Sequence, residues 1–277
     1  MADFRTATLN DLSLVLDWAA REGWNPGLDD AAAFFEADPN GFFVACDEGV
    51  PVAAISVVNH SPDFAFLGLY IVLPQRRHEG VGLALWNHAI MHAGDRVVGL
   101  DGVPDQQENY RKSGFVSAGG TTRYSGTVPA TKHAQIRPVQ DHHIPELIAL
   151  EGSASGTHKS AYLQAWFAGA KTRVTLTEER AGQLQGACTV RRCREGAKIG
   201  PLIARDLETA RRLLEHAATL FPGPVVLDVP DASNALAQLC AAYGMSPSFK
   251  TARMYRGKAP KASAPVDFFA VVSLELG

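Results

Sequence analysis

An α/β protein with mixed sheets, written as two tandem copies of one unit, is the fold class this sequence predicts. Its 277 residues are long for one domain and comfortable for two. Short runs rich in β-branched and aromatic residues alternate with stretches of helical spacing. Three segments of the first half recur in the same order in the second: VVGLDGVP (97–104) as PVVLDVPD (224–231), YRKSGF (110–115) as CAAYGM (240–245), and TTRYSG (121–126) as ARMYRG (252–257). From Asp101 to Gly114 is 13 residues and from Asp228 to Gly244 is 16, so the spacing is nearly kept as well. A duplicated domain is the consequence, expected to divide as 1–128 and 129–277 at the polar stretch SGTVPATKHA (125–134).

In the first half FRTAT reads as a strand and residues 9–22 and 28–37 read as helices. Asp29 and Asp30 favour the start of the second helix by facing the positive end of its dipole. GFFVACDE and PVAAISVV are strands joined by a turn at Glu48-Gly49, and their nearly continuous apolar runs predict cover on both faces. FAFLGLYIVLP is another strand, ended by Pro74. A helix follows from about Gly80 to His92, with Val81, Ala84, Leu85 and Met91 at helical spacing. Strand RVVGLDG, a short helix at 105–113 and strand VSAGGTTRYSG complete the unit. The second half repeats the order: strand 134–138, helices near 143–151 and 159–169, a hairpin through 173–203, helix 207–220, strand 224–229, helix 232–243 and strand 250–256.

Composition narrows the class. At 46% apolar and 20% charged residues the chain can bury a sizeable core. No apolar stretch approaches the roughly 20 residues of a membrane span, and MADFRTATLNDL lacks a signal-peptide core. Four scattered cysteines (Cys46, Cys188, Cys193, Cys240) form no CxxC, so neither a disulfide framework nor a zinc ribbon is indicated. The net charge of −3 divides into −8 over residues 1–128 and +5 over 129–277. Neither half has the basic balance of a nucleic-acid binder, and the opposite signs favour docking of the halves. His88 and His92 stand at i, i+4, but without a neighbouring glutamate or a third ligand no metal is expected. The expectation is a cytoplasmic protein with neither membrane nor nucleic acid as partner.

The most informative stretch is YIVLPQRRHEGVGLALW (70–86). A buried strand stops at Pro74, and Arg77-His78-Glu79-Gly80-Val81-Gly82 turns directly into a helix. Glycines suit a backbone that must approach a ligand closely, and the free N–H groups at a helix start suit an anion such as a pyrophosphate. Arg76 and Arg77 add positive charge to an otherwise acidic half. Two familiar phosphate loops fail on spacing: Leu85 occupies the third glycine position of GxGxxG, and no GK[ST] is present.

With Pro74 three residues before Arg77, and with Tyr110-Arg111-Lys112-Ser113-Gly114-Phe115 about thirty residues on, the chain resembles the GNAT family of acyl-CoA-dependent N-acetyltransferases. Arg77, Gly80 and Gly82 match that family's [QR]xxGx[GA], and Tyr110, Gly114 and Phe115 match its YxxxGF. The resemblance covers roughly residues 4–127. The second half is similar to a degenerate GNAT-like domain: Ala204, Leu207 and Thr209 replace Arg77, Gly80 and Gly82, and Cys240 replaces Tyr110. The fold implied is two tandem GNAT-like acyl-CoA N-acyltransferase domains.

The resemblance implies acetyl-CoA as cosubstrate, without a metal, and a primary amine on a small molecule or an exposed amino group as acceptor. Ile71, Val72 and Leu73 would line the pantetheine arm and the thioester, and the loop from Arg76 to Gly82, with His78, Glu79 and Val81, would hold the pyrophosphate. Tyr110 takes the family position of the acid that protonates the leaving thiolate; otherwise its ring packs the short helix on the sheet. Asp101 orients the acceptor, accepts its proton, or braces a turn, and its echo at Asp228 favours the brace. Trp24 and Asn25, between the first two helices, are the acceptor candidates; a core position is the other reading of Trp24. The second half is expected to bind no CoA and to cover the first. Two competing functions remain open: an acyl-CoA-binding sensor without catalysis, and a Fem-like aminoacyl transferase. An intact CoA loop and the lack of a basic face weigh against the latter.

Overall fold

The computed structural model describes residues 2–263 and 267–277. The first half runs β1 (Asp3–Thr6), α1 (Leu9–Arg21), α2 (Asp30–Ala37), β2 (Phe42–Asp47), β3 (Val50–Asn59), β4 (Phe64–Val72), α3 (Val81–Ala89), β5 (Val97–Gly102), α4 (Gln107–Lys112) and β6 (Val116–Gly126). The second runs β7 (Ile136–Pro138), α5 (Ile144–Ser155), α6 (Ser160–Phe167), β8 (Arg173–Arg180), β9 (Gln183–Arg192), β10 (Ala197–Ala204), α7 (Leu207–Ala217), β11 (Val225–Pro230), α8 (Asn234–Ala242) and β12 (Ser246–Arg256). A final strand, β13 (Asp267–Ala270), is not foreseen from the sequence.

Helix starts have local causes. Thr8 Oγ1 accepts from the Asp11 amide at 3.2 Å while the Asp11 carboxylate accepts from the Thr8 amide at 2.8 Å, a reciprocal capping box for α1. Asp206 caps α7 by accepting from the Thr209 amide at 2.7 Å. The helix expected to reach His92 stops at Ala89. The chain tightens into a 3₁₀ turn over Ile90–Ala93 and leaves it through Gly94 at φ +55°.

The strands form one mixed sheet in the order β1-β2-β3-β4-β5-β12-β6-β11-β10-β9-β8-β7, with β13 paired to β10. The two halves exchange their last long strands. β12 lies between β5 and β6, and β6 lies between β12 and β11, so both neighbours of β6 belong to residues 129–277. The repeat boundary near residue 128 therefore divides the sequence but not the sheet. Helices of both halves also share an apolar core, in which Phe34 of α2 stacks on Trp166 of α6 at 6.0 Å with the rings 10° apart.

Charge follows the same exchange. Asp101 on β5 stands opposite Arg253 on β12, and Asp228 on β11 stands opposite Arg123 on β6. Each pair is bidentate, at 2.9 and 2.8 Å for Arg253–Asp101 and at 2.7 and 2.9 Å for Arg123–Asp228. The echo of Asp101 by Asp228 thus has a structural cause, since each half's aspartate clamps an arginine on the other half's exchanged strand. Asp30 of the acidic half likewise meets Arg191 and Arg173 of the basic half at 3.3 and 3.9 Å.

After β13 the chain ends its described course in a buried turn, residues 273–277, pinned from several sides. Lys159 Nζ donates to Gly277 O at 2.8 Å, Tyr162 Oη lies 3.3 Å from Ser273 Oγ, and His60 Nε2 lies 2.8 Å from Leu276 O. A carbonyl partner requires the proton on Nε2, and His60 Nδ1 is buried without a partner among the described residues. The ring is therefore neutral when folded, and burial with the nearby Lys159 ammonium pushes its pKa down to about 3. The unfolded chain binds that proton below about pH 6.5, so folded stability falls as pH drops from there, by at most about 1.4 kcal/mol per unit. Urea midpoints at pH 7.5 and 5.0 are expected to show a smaller drop in His60→Gln than in the wild type. Equal drops would remove His60 as the cause.

Candidate active site

β4 and β5 pair in parallel only from Phe64–Leu67 against Val97–Leu100. Beyond Leu67 they part. On its other edge β4 stays paired to β3 but bulges, because Ala54 faces Ile71 while Ser56 already faces Gly68. Leu69 takes φ +46° at that bulge, a left-handed conformation unusual for leucine. The bend and the parting open a cavity of about 700 Å³, within the range of small-molecule sites. Ile71, Val72, Asp101 and Tyr110 line it, as do Arg76, Arg77, His78, Gly80 and Gly82.

The loop from β4 to α3 bounds one end. His78 and Gly80 both have left-handed φ, +68° and +80°, which turns successive N–H groups inward as an anion-binding concavity does. The Arg77 amide is spent on Pro74 O at 3.3 Å, and the Ala84 amide on Gly80 O at 3.1 Å. Between them the amides of residues 78–83 have no protein acceptor among the described residues. A Cβ at Gly82 would sit 2.7 Å from Tyr70 Oη and 2.9 Å from Val72 Cγ2, so glycine is what lets α3 start this close to β4. Arg76 is shared between Asp47 and Glu79, and Arg77 reaches Glu22 and Val72 O. These are exposed ion pairs, weak in water, and a diphosphate can displace them.

Tyr110 is 8% exposed, its ring stacked on Trp86 at 5.7 Å and edged by Phe115 at 6.4 Å. Gly102 makes room for it, since a Cβ there would lie 3.0 Å from the ring. Its hydroxyl has no hydrogen-bond partner among the described residues, and burial with Tyr70 nearby pushes its pKa up. The phenol stays protonated across the physiological range.

Family models match both halves: an acetyltransferase (GNAT) family model over residues 9–115 and an acetyltransferase (GNAT) domain model over 147–266. A holothin acyltransferase of a Pseudoalteromonas species is 33% identical over 99% of this chain and 94% of its own length. The chain belongs to the GNAT acetyltransferase family. It is an acyltransferase of tandem build. The fold is also that of a Pyrococcus horikoshii protein described as an acetyltransferase, with TM-score 0.81 and 20% identity over 100% of this chain and 96% of that one. A tandem GNAT protein from the clavulanic acid biosynthesis pathway superposes with TM-score 0.63 and 18% identity over 93% and 99%.

Within this GNAT frame several expected residues stand elsewhere. Asn25 is absent from the cavity wall: its side chain donates to Glu195 O at 2.8 Å and accepts from Glu195 N at 3.3 Å, fastening the halves together. Leu73 packs toward the helical core, and its amide is used by Val52 O at 3.0 Å. Val81 points into the core below α3 and Glu79 pairs with Arg76, so these two face the loop with their amides only. Trp24 does line the cavity, and its carbonyl accepts from Arg123 and Lys198 across the seam. Asp101 lines it too, but Arg253 holds both its oxygens, so it is not a free carboxylate. Burial pushes its pKa up while Arg253 opposes the shift.

The second half supplies wall residues that sequence reasoning missed: Phe249 and Thr251 from β12, and Leu274 and Glu275 from the buried turn. Tyr70 and Trp86, which frame Tyr110, were missed as well. Trp86 carried one usable signal, its position one helical turn beyond Gly82 on the face that packs against the sheet. No helix among the described residues is long and apolar enough to cross a membrane.

Proposed function

We propose that the protein is an acetyl-CoA-dependent N-acetyltransferase acting on a primary amine of a small molecule, with the reacting groups in residues 1–128 and the second half closing the acceptor side. The observation that carries this reading is the run of unpartnered amides at 78–83 opening onto the same cavity as the Tyr110 hydroxyl. In this reading the diphosphate lies on those amides and the start of α3. The arm runs along the free edge of β4, whose N–H groups past Leu67 face the thioester oxygen and stabilise the oxyanion as the amine adds. Binding both reactants in one cavity removes their translational freedom, and no covalent enzyme intermediate is needed.

Tyr110 then donates its proton to the departing sulfur. A phenol near pKa 10 and a thiol near 8.5 differ by about 1.5 units in water. Burial in the same apolar site disfavours both anions, so the gap does not widen by the full shift of the phenol. The name of the holothin acyltransferase supports a small molecule as acceptor over a protein amine. A screen of thiol release from acetyl-CoA against holothin, amino acids, aminoglycosides and polyamines tests the reading, with calorimetry alongside. Binding together with amine-dependent thiol release is expected. Binding without release across the panel would favour a sensor, and no affinity at millimolar acetyl-CoA would end the reading.

A further inference from the structure

We propose that Glu275, from the far end of the second half, receives the acceptor's amino group and takes its proton. This rests on the acetyltransferase reading above. The side chain is buried, 4% exposed, yet it lines the cavity beside Thr251 and Leu274. Neither carboxylate oxygen has a hydrogen-bond partner among the described residues, and Oε2 is wholly buried. A desolvated carboxylate without a partner is costly, and folded proteins seldom leave one without a use.

The backbone holds this carboxylate in place deliberately. Any side chain at position 68 would collide with Glu275 O, 1.9 Å from the Cβ site, so Gly68 of β4 is what admits the turn against the strand. Ser273 Oγ accepts from the Leu276 amide at 3.1 Å and closes the turn, and Lys159, Tyr162 and His60 anchor it from behind. A rigid turn thus delivers a charged group to the place where β4 leaves β5.

The surrounding charges explain why Glu275 is free. Arg123 on β6 is committed to Asp228, Arg191 on β9 to Asp30 and to Val272 O, and Arg253 on β12 to Asp101. Lys198 on β10 donates to Trp24 O at 2.7 Å. Arg123, Arg191 and Lys198 all feel the Glu275 charge, yet none makes an ion pair with it among the described residues. Asp101, which Arg253 holds, lines the cavity too, as do the phenols of Tyr70 and Tyr110, both with pKa raised by burial. Of the other carboxylates lining the cavity, Glu22 is paired with Arg77 and Asp105 is exposed, so Glu275 is the buried one without an ion pair among the described residues.

The proton count closes. The ammonium gives one proton to Glu275 and becomes a nucleophile. Its nitrogen forms the C–N bond, the C–S bond breaks, and Tyr110 protonates the sulfur. The second nitrogen proton restores the phenol, and Glu275 returns its proton to solvent, the one proton released overall.

The test uses the full chain, acetyl-CoA and whichever amine of the panel turns over fastest. Glu275→Gln is expected to bind acetyl-CoA as the wild type does while kcat/KM for the amine falls about 100-fold or more. The acidic limb of the wild-type pH profile should vanish in that variant, a change that a packing defect would not produce. Glu275→Asp should keep the limb and lose at least about 10-fold in kcat/KM with acetyl-CoA affinity intact; it carries the test if the glutamine variant does not fold. Turnover by either variant at the wild-type rate with an unchanged limb would overturn the assignment of Glu275 alone. A wild type that neither binds acetyl-CoA nor releases thiol would defeat the underlying reading instead.

Discussion

Tyr110→Phe is expected to lower kcat by about 10²- to 10⁴-fold while acetyl-CoA affinity stays within about twofold. The phenol oxygen makes no hydrogen bond to the protein among the described residues, so its removal leaves no buried group orphaned and costs little stability. The ring remains, and with it the stack on Trp86 that positions the aromatic edge in the wall. What disappears is the proposed proton donor for sulfur. Pre-steady-state kinetics would show acyl transfer itself slowed, not product release. Because burial raises the phenol's pKa, this group should impose no alkaline fall in kcat below about pH 10. A variant within threefold of the wild type would reduce Tyr110 to a packing residue.

Asp228→Asn should be the most damaging single change to stability. It leaves the Arg123 guanidinium, 8% exposed in the exchanged sheet, without its paired carboxylate and with the Trp24 carbonyl as a neutral partner. Removing one member of such a pair costs about 3–5 kcal/mol, which for a chain of this size lowers Tm by on the order of 10 °C. The pair is shielded from solvent, so 0.5 M salt should not mimic the mutation. A double replacement, Arg123→Met with Asp228→Leu, removes both desolvated charges and is expected to recover most of the lost stability. Thermal melts of the single and double variants decide it. An Asp228→Asn melt within 2 °C of the wild type would mean that the clamp contributes nothing to holding the halves.

The contrast between what could and could not be read from the sequence has a physical basis. The loop was legible because its requirements are local: a strand stop at Pro74, left-handed backbone at Gly80 and close approach at Gly82 each restrict residue type at one position. Tyr110 was named only through the family resemblance carried by YxxxGF. The duplication was also legible, and the repeated aspartates Asp101 and Asp228 stood out. Their arginine partners did not, because Arg123 and Arg253 meet them only through strand exchange, a pairing across more than a hundred residues with no local signature. Asn25 failed for the same reason, its partner Glu195 lying 170 positions away. Glu275 could not be found at all: SLELG reads as an ordinary tail until β13 and Gly68 bring it over β4.

We propose that the backbone N–H groups of residues 78–83 grip the diphosphate of acyl-CoA. Amide hydrogen exchange resolved to single residues, with and without saturating acetyl-CoA, tests it most directly. Marked slowing is expected at residues 78–83 when the coenzyme is bound, with no comparable slowing over the matching segment 204–209 of the second half. Saturation by acetyl-CoA with exchange at residues 78–83 unchanged would contradict it.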